Sequence, residues 1–417
     1  MKHLTRRRLL QALATLPAAS CLTRFRALAA PERGRIKIRD IKVMMIQGPR
    51  TYTLVKVDSD AGLYGIGEGY GSPGVGVKEQ ILALRPDLVG KDPLGIDALY
   101  TGLGTRTDGS AHSLMRAVSG IEIACWDLAG KILGVPTTTL LGGKFRDRVR
   151  MYYDSGPRDM LDQGSCREWA ARVKSDPAGW TAVKIHFESQ LRKGQPDRAR
   201  DLANRQLTSS ELAKLRKGYE NMREALGWDL DIMVHCSWNY DLRTSIQLAE
   251  AVEPIKPLWL EDPMPPDYTD SWKRLVAASR VPICTGENLT RRQGFKDFII
   301  NQGCDIVQLD IRNTGGLLES KRIADLADVF SLPMANHNSG AAVCTLATIQ
   351  WAASIRDYLA TEAWWIGRRD WMDDVIVHDG PLVKDGHIEL PNKPGLGIEL
   401  NPEVVKAHLV PGETYWS

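Results

Sequence analysis

Ionisable side chains recur where short apolar runs of this chain end. Lys184 and His186 close the run from Ala182, His235 follows Ile232-Met233-Val234, and Glu261 follows Leu258-Trp259-Leu260. Glu287 comes after Cys284-Thr285-Gly286, Asp310 after Gln308-Leu309, His337 after Met334-Ala335-Asn336, and Glu362 after Leu359-Ala360-Thr361. Any one of these alone reads as a solvated loop charge or a helix cap. The set carries the meaning, because random placement would not gather charge at the ends of apolar runs. Carboxylates such as Glu261 and Glu287, if they converge, repel one another unless a cation neutralises them, and hard oxygen ligands suit Mg²⁺. Asp310 and His337 have the types for a carboxylate that orients an imidazole and raises its basicity. Lys184 and His186 stand two apart, so on a strand their side chains point the same way. One could hold a substrate carboxylate while the other moves a proton.

The elements that must position these groups are legible as alternating runs. Candidate strands are Val149–Asp154, Ala182–Phe187, Asp231–Cys236, Leu258–Glu261, Ile283–Gly286, Ile306–Asp310, Pro333–His337 and Leu359–Glu362. Helical stretches such as Leu242–Val252, Ser271–Ala278 and Leu318–Val329 separate most of them. Short apolar strands alternating with helices predict a closed parallel barrel, with a doubly wound sheet as the alternative. In such a barrel the loops after the strands build the active site. Residues 36–70 instead alternate as antiparallel strands, and residues 77–140 read as helices, clearest from Val118 to Leu133. Gly62–Gly71 is glycine-rich but does not open a βαβ unit, so it is no dinucleotide fingerprint. The polar stretch 188–210 is a longer connection, a short helix or a lid near the barrel mouth.

Composition bounds the class. The chain has 417 residues, 43% hydrophobic and 25% charged, which excludes disorder, collagen and a disulfide miniprotein. No apolar run reaches the roughly 20 residues of a membrane span. Net charge is +3, but Lys2, Arg6, Arg7, Arg8, Arg24 and Arg26 lie in a leader without acids, leaving −3 on the rest. A mildly acidic body gives no electrostatic case for nucleic-acid binding. Thr5-Arg6-Arg7-Arg8-Leu9-Leu10 looks like a twin-arginine export signal, and Ala27-Leu28-Ala29 offers a cleavage site. The expectation is a periplasmic protein; the alternative is a basic tail on a cytoplasmic one. Cys125, Cys166, Cys236, Cys284, Cys304 and Cys344 show no metal spacing and read as small core residues.

The motifs together resemble a known family. Gly65-Ile66-Gly67-Glu68, Ser119-Gly120-Ile121-Glu122 with Trp126-Asp127-Leu128-Ala129-Gly130, Leu140-Leu141-Gly142-Gly143, Trp259-Leu260-Glu261-Asp262-Pro263, Thr285-Gly286-Glu287-Asn288, Gln308-Leu309-Asp310 with Gly315-Gly316, and Pro394-Gly395-Leu396-Gly397 are similar to those of the enolase superfamily. The resemblance is to its mandelate racemase/muconate lactonizing enzyme-like branch, of the acid-sugar dehydratase type, and runs from about residue 36 to 400. It implies a (β/α)₇β TIM-like barrel under an N-terminal α+β capping domain. The divisions it suggests are a signal peptide at 1–29, a capping domain at 30–147, a barrel at 148–375 and a C-terminal segment, 376–417, returning to the capping domain. It also implies metal-assisted removal of the proton α to a carboxylate, followed in dehydratases by loss of the β-hydroxyl to give a 2-keto-3-deoxy acid. Racemase, epimerase or cycloisomerase chemistry is the alternative within the family, and a non-catalytic acid-sugar binding protein the alternative outside it.

Carried over residue by residue, Glu261 and Glu287 match the second and third metal ligands. Asp310 and His337 match the dyad. Lys184 matches the lysine that contacts the substrate carboxylate, and Glu362 the acid that bonds the same group. Two positions depart from the pattern. His235 stands where the first metal ligand is an aspartate, which removes a negative charge. The ion the resemblance implies is Mg²⁺; because of this change Mn²⁺ or another divalent ion, recruitment of Asp241 in place of His235, or loss of metal chemistry are the alternatives. His186 stands where a second lysine is usual, as an opposite-face base or a polar substrate contact. The partner this implies is a small carboxylate substrate; a homo-oligomer is expected by analogy alone.

Overall fold

The computed structural model describes residues 35–71, 76–104, 111–186, 205–364, 366–367 and 371–416. The proposed leader, most of the polar 188–210 connection and Trp365 lie outside these residues. The chain opens with an antiparallel sheet in the order β1 (Ile38–Gln47), β2 (Thr51–Ser59), β3 (Tyr64–Gly69). Val43, Val55 and Val57 of this sheet bury against Ile81, Val118, Ile121 and Leu128 of the helices Val77–Leu88 and Ala111–Leu133. Glycine makes the contact close: a Cβ on Gly65 would stand 2.0 Å from the Ala124 carbonyl, and one on Gly67 2.3 Å from that of Gly120. The glycine-rich run is thus a packing face within a strand, and alternation turns Ile66 and Glu68 the other way, toward the barrel.

The barrel consists of eight parallel strands: β4 (Arg148–Asp154), β5 (Ala182–His186), β6 (Asp231–His235), β7 (Trp259–Glu261), β8 (Ile283–Thr285), β9 (Ile306–Leu309), β10 (Met334–Asn336) and β11 (Tyr358–Ala363). It closes where β11 pairs with β4, Glu362 opposite Tyr152. The expected strands are all present, five of them ending one residue early. Gly286, at φ 135°, and the short helix begun at Ile311 stop two of them. A strand β12 (His387–Glu389) adds to the outside of β4. The chain beyond it returns to the N-terminal sheet and helices: the Leu396 N–H donates to Asp127 at 2.7 Å, and Leu409 bridges to Ile46 of β1.

Side-chain alternation builds the barrel interior in layers. The buried lower layer takes one residue from each strand: Tyr152, Ala182, Met233, Trp259, Cys284, Ile306, Ala335 and Ala360. Two residues on, the same inward direction carries Asp154, Lys184, His235, Glu261, His337 and Glu362. An apolar floor therefore lies beneath a polar ring. Two acids of the helix Ala111–Leu133 tie the domains together. Glu122 accepts the Leu317 and Leu318 N–H groups at 2.7 and 2.9 Å, capping a barrel helix, and Asp127 also takes the Ile66 N–H at 2.8 Å. All six described cysteines are buried and none forms a disulfide among the described residues, as small core residues.

Candidate active site

Strand register sets His186, His235 and Glu261 side by side on β5, β6 and β7. The metal-type group they belong to is His235, Glu261, Asp262 and Glu287, with one ligand atom of each lying within 4.8 Å of the others. His235 Nε2 lies 3.5 Å from Glu261 Oε1, 3.9 Å from Asp262 Oδ2 and 3.8 Å from Glu287 Oε2. All four are buried, and His235 Nε2, Asp262 Oδ2 and Glu287 Oε2 have no hydrogen-bond partner among the described residues. Three buried carboxylates and unpartnered acceptors crowded together are the signature of a cation site. Burial, helped by the charges of His186 and Lys184, holds His235 well below the usual imidazole range, so it presents a neutral ligand nitrogen. Burial first, then the neighbouring carboxylates, pushes Asp262 well above its usual range and Glu287 up to about 7.

Asp262 was not among the expected ligands. On a strand, residues adjacent in sequence face opposite ways, so Glu261 inward predicts Asp262 outward. The strand ends at Glu261, and Asp262 takes the left-handed backbone at φ 49°, which swings its carboxylate to the same side. Thr285 Oγ1 fixes it by donating at 2.6 Å. Asp262 restores the charge that His235 lacks. Asp241 does not join the group: it caps the helix Leu242–Val252, accepting the Thr244 N–H at 2.8 Å.

Lys184 is 1% exposed, and its Nζ lies 3.0 Å from both Glu261 Oε1 and Glu362 Oε1. Burial disfavours its charge, but Glu261 and Glu362 outweigh that and hold it well above the usual lysine range. Glu362 Oε2 also accepts the Asn338 N–H at 3.2 Å. Asp310 and His337 pair as expected, with His337 Nδ1 2.9 Å from Asp310 Oδ2. Burial opposes ionisation of Asp310, yet the Arg312 guanidinium and the His337 bond hold it below the usual carboxylate range. His337 Nε2 faces Glu287 and Glu362, 3.7 Å from each. Burial alone would lower the imidazole; those carboxylates and Asp310 raise it to about 10.

The sequence reading also missed Asp154. Its Oδ2 lies 2.9 Å from His186 Nε2, giving a second carboxylate–imidazole pair. That bond and the Asp154 charge raise His186 against the lowering effect of burial. The His186 ring sits 4.2 Å from that of His235, centroid to centroid. Asp154 ends a strand like the other site residues, and that position is the signal that could have found it.

A family model described as enolase C-terminal domain-like matches residues 166–404, and one described as the mandelate racemase/muconate lactonizing enzyme N-terminal domain matches 39–142. The chain belongs to the enolase superfamily, in its mandelate racemase/muconate lactonizing enzyme branch. Among curated relatives of this superfamily member, D-xylonate dehydratase of Haloferax volcanii is 37% identical over 91% of this chain and 90% of its own. D-galactonate dehydratase of Pectobacterium atrosepticum is 28% identical over 87% and 92%. Among solved structures, a mandelate racemase/muconate lactonizing enzyme-like protein from Rubrobacter xylanophilus superposes with a TM-score of 0.83 at 31% identity, covering 91% of this chain and 99% of that one. Enolase superfamily members use a divalent metal, and the donor set here is of the kind that holds one.

Proposed function

We propose that this superfamily member is a hydro-lyase that dehydrates an acid sugar to its 2-keto-3-deoxy acid, with an aldonate of the D-xylonate type as the substrate to test first. The observation that supports it is the pair of carboxylate–imidazole dyads, Asp310–His337 and Asp154–His186, beside one buried cation-type donor set. Dehydration needs two proton transfers at neighbouring carbons, and two oriented imidazoles provide them. The 37% identity to D-xylonate dehydratase supports the substrate class.

His235, Glu261, Asp262 and Glu287 would hold the ion, which we assign as Mg²⁺ with Mn²⁺ as the ion to compare. Bound there, it supplies Lewis-acid stabilisation of the charge that spreads into the substrate carboxylate. Lys184, kept cationic between Glu261 and Glu362, receives that carboxylate. With Nδ1 bonded to Asp310, His337 has Nε2 turned toward the ring of site residues, and in its neutral form, reached when a bound cation offsets the Glu287 and Glu362 charges, it would remove the α-proton. The electron pair left on the α-carbon moves into the carboxylate and then forms the new C=C bond as the β C–O bond breaks. His186, the more exposed imidazole with 38% of its side chain accessible, gives its proton to the departing hydroxyl as water. The enol product tautomerises to the ketone, so one water is lost and nothing is oxidised.

The test is turnover of aldonates and aldarates with Mg²⁺, Mn²⁺ or chelator in deuterium oxide. Metal-dependent 2-keto acid supports dehydration. Deuterium incorporation at the α-carbon without keto acid would replace it with racemisation or epimerisation. His186→Asn should stop keto-acid release yet keep α-proton exchange, whereas His337→Asn should stop both. Loss of exchange in His186→Asn would reverse the two roles. We further propose that residues 1–29 direct twin-arginine export to the periplasm. Replacing Arg6 and Arg7 by lysine should leave the protein in the cytoplasmic fraction, and unchanged fractionation would remove that proposal.

A further inference from the structure

Glu68 belongs to the N-terminal sheet, yet its carboxylate is fully buried against the barrel. Its Oε1 accepts the Ala341 N–H at 3.0 Å and its Oε2 the Cys344 N–H at 3.1 Å. These are N–H groups at the start of the helix Ala342–Ala353, which has no side-chain cap of its own. The first of these N–H groups, that of Ala341, lies four residues after His337. Gly340 fits beneath the carboxylate because a Cβ there would stand 2.9 Å from Glu68 Oε1. Glu68 Oε1 also lies 3.4 Å from Nη1 of Arg312, a guanidinium 2% exposed. Arg312 then grips Asp310 through three donors: its backbone N–H at 2.8 Å, Nε at 3.1 Å and Nη2 at 2.8 Å. Nη2 donates further to Ser339 Oγ at 3.0 Å. A buried fork of this kind fixes a carboxylate in plane and direction, which a lysine's point charge does not.

Glu68 therefore reaches His337 by two routes, one through Arg312 and Asp310 and the other through the segment 338–341. We propose that Glu68 and Arg312 are positioning residues for the Asp310–His337 pair, so that this dyad is set only when the N-terminal sheet is seated on the barrel. The proposal rests on the reading above that this pair moves the α-proton. β3 is itself fixed by its glycines against the helix Ala111–Leu133, so the seating is well defined.

The experiment compares Glu68→Gln, Arg312→Lys and Ser339→Ala with the unaltered protein. It measures kcat and KM on D-xylonate with Mg²⁺, and the ring N–H resonance of His337 in protein labelled with ¹⁵N-histidine. Glu68→Gln and Arg312→Lys should lower kcat by about 10²-fold, the scale of a misplaced catalytic group, with KM within about threefold. Their His337 resonance should shift or broaden. Ser339→Ala removes one bond without stranding a buried charge, and should cost about fivefold in kcat. That variant decides the matter if the other two do not fold. Folded variants with kcat within threefold of the unaltered protein and an unmoved His337 signal would overturn the proposal. So would a loss confined to thermal stability. If the unaltered protein dehydrates no acid sugar, the dehydration reading fails by itself, and the His337 signal alone decides the positioning role.

Discussion

At the residue scale, the donor set turns on a compensation between neighbours. His235 contributes a neutral nitrogen where a carboxylate would add charge, and Asp262 returns that charge from the next strand. Asp262→Asn should therefore weaken Mg²⁺ binding by more than about tenfold by calorimetric titration, comparable to the loss of a group that tunes a metal site. Asp241→Asn should leave the affinity unchanged while costing at most ~1 kcal/mol of stability as a weakened helix cap. Equal losses from both would show that Asp241 binds the ion after all. Lys184→Met should raise KM for the acid sugar and destabilise the fold, because it leaves Glu261 and Glu362 without their shared cation.

At the scale of elements, close approach decides more than propensity. β3 has glycines at alternate positions because the helix Ala111–Leu133 lies against its backbone, and this contact points Glu68 into the barrel. Gly67→Ala would place a methyl 2.3 Å from the Gly120 carbonyl, so the strand or helix must move. We expect a stability loss of about 1–3 kcal/mol by chemical denaturation, the usual cost of overpacking. Activity should fall further than folding does, because Glu68 moves with the strand. Unchanged stability would mean that the helix yields without cost.

At the scale of the molecule, the buried ionisable groups of the site tie folding to pH. Glu287, raised to about 7, and His337, raised to about 10, both bind protons more tightly in the folded chain than in the unfolded one. A raised folded value means stability that is present at low pH and lost as pH climbs. The window for Glu287 runs from about 4.5 to about 7, and that for His337 from about 6.5 to about 10. His235, shifted the opposite way, acts below the His337 window. The melting temperature in chelator should fall from pH 6.5 to 8, and the increase on adding Mg²⁺ should grow over the same range as Glu287 loses its competing proton. A flat or rising profile in chelator would contradict this account of the site.

The alternation of apolar runs and helices was enough to read the barrel, because side-chain direction in a strand has a period of two and each strand repeats the same inward rule. The same local rule put Lys184, His186, His235, Glu261, His337 and Glu362 at the mouth, with Glu287 and Asp310 just past their strands. It could not find Asp262, whose orientation depends on a left-handed residue outside the alternation. Nor could it find the Asp154–His186 pair, a contact between two strands whose register only the closed barrel fixes. Glu68 and Arg312 meet across 244 residues of chain. Sequence periodicity determines which way a side chain faces; which charges then neutralise one another in the interior is decided by distance through space, where burial makes every unpaired charge costly.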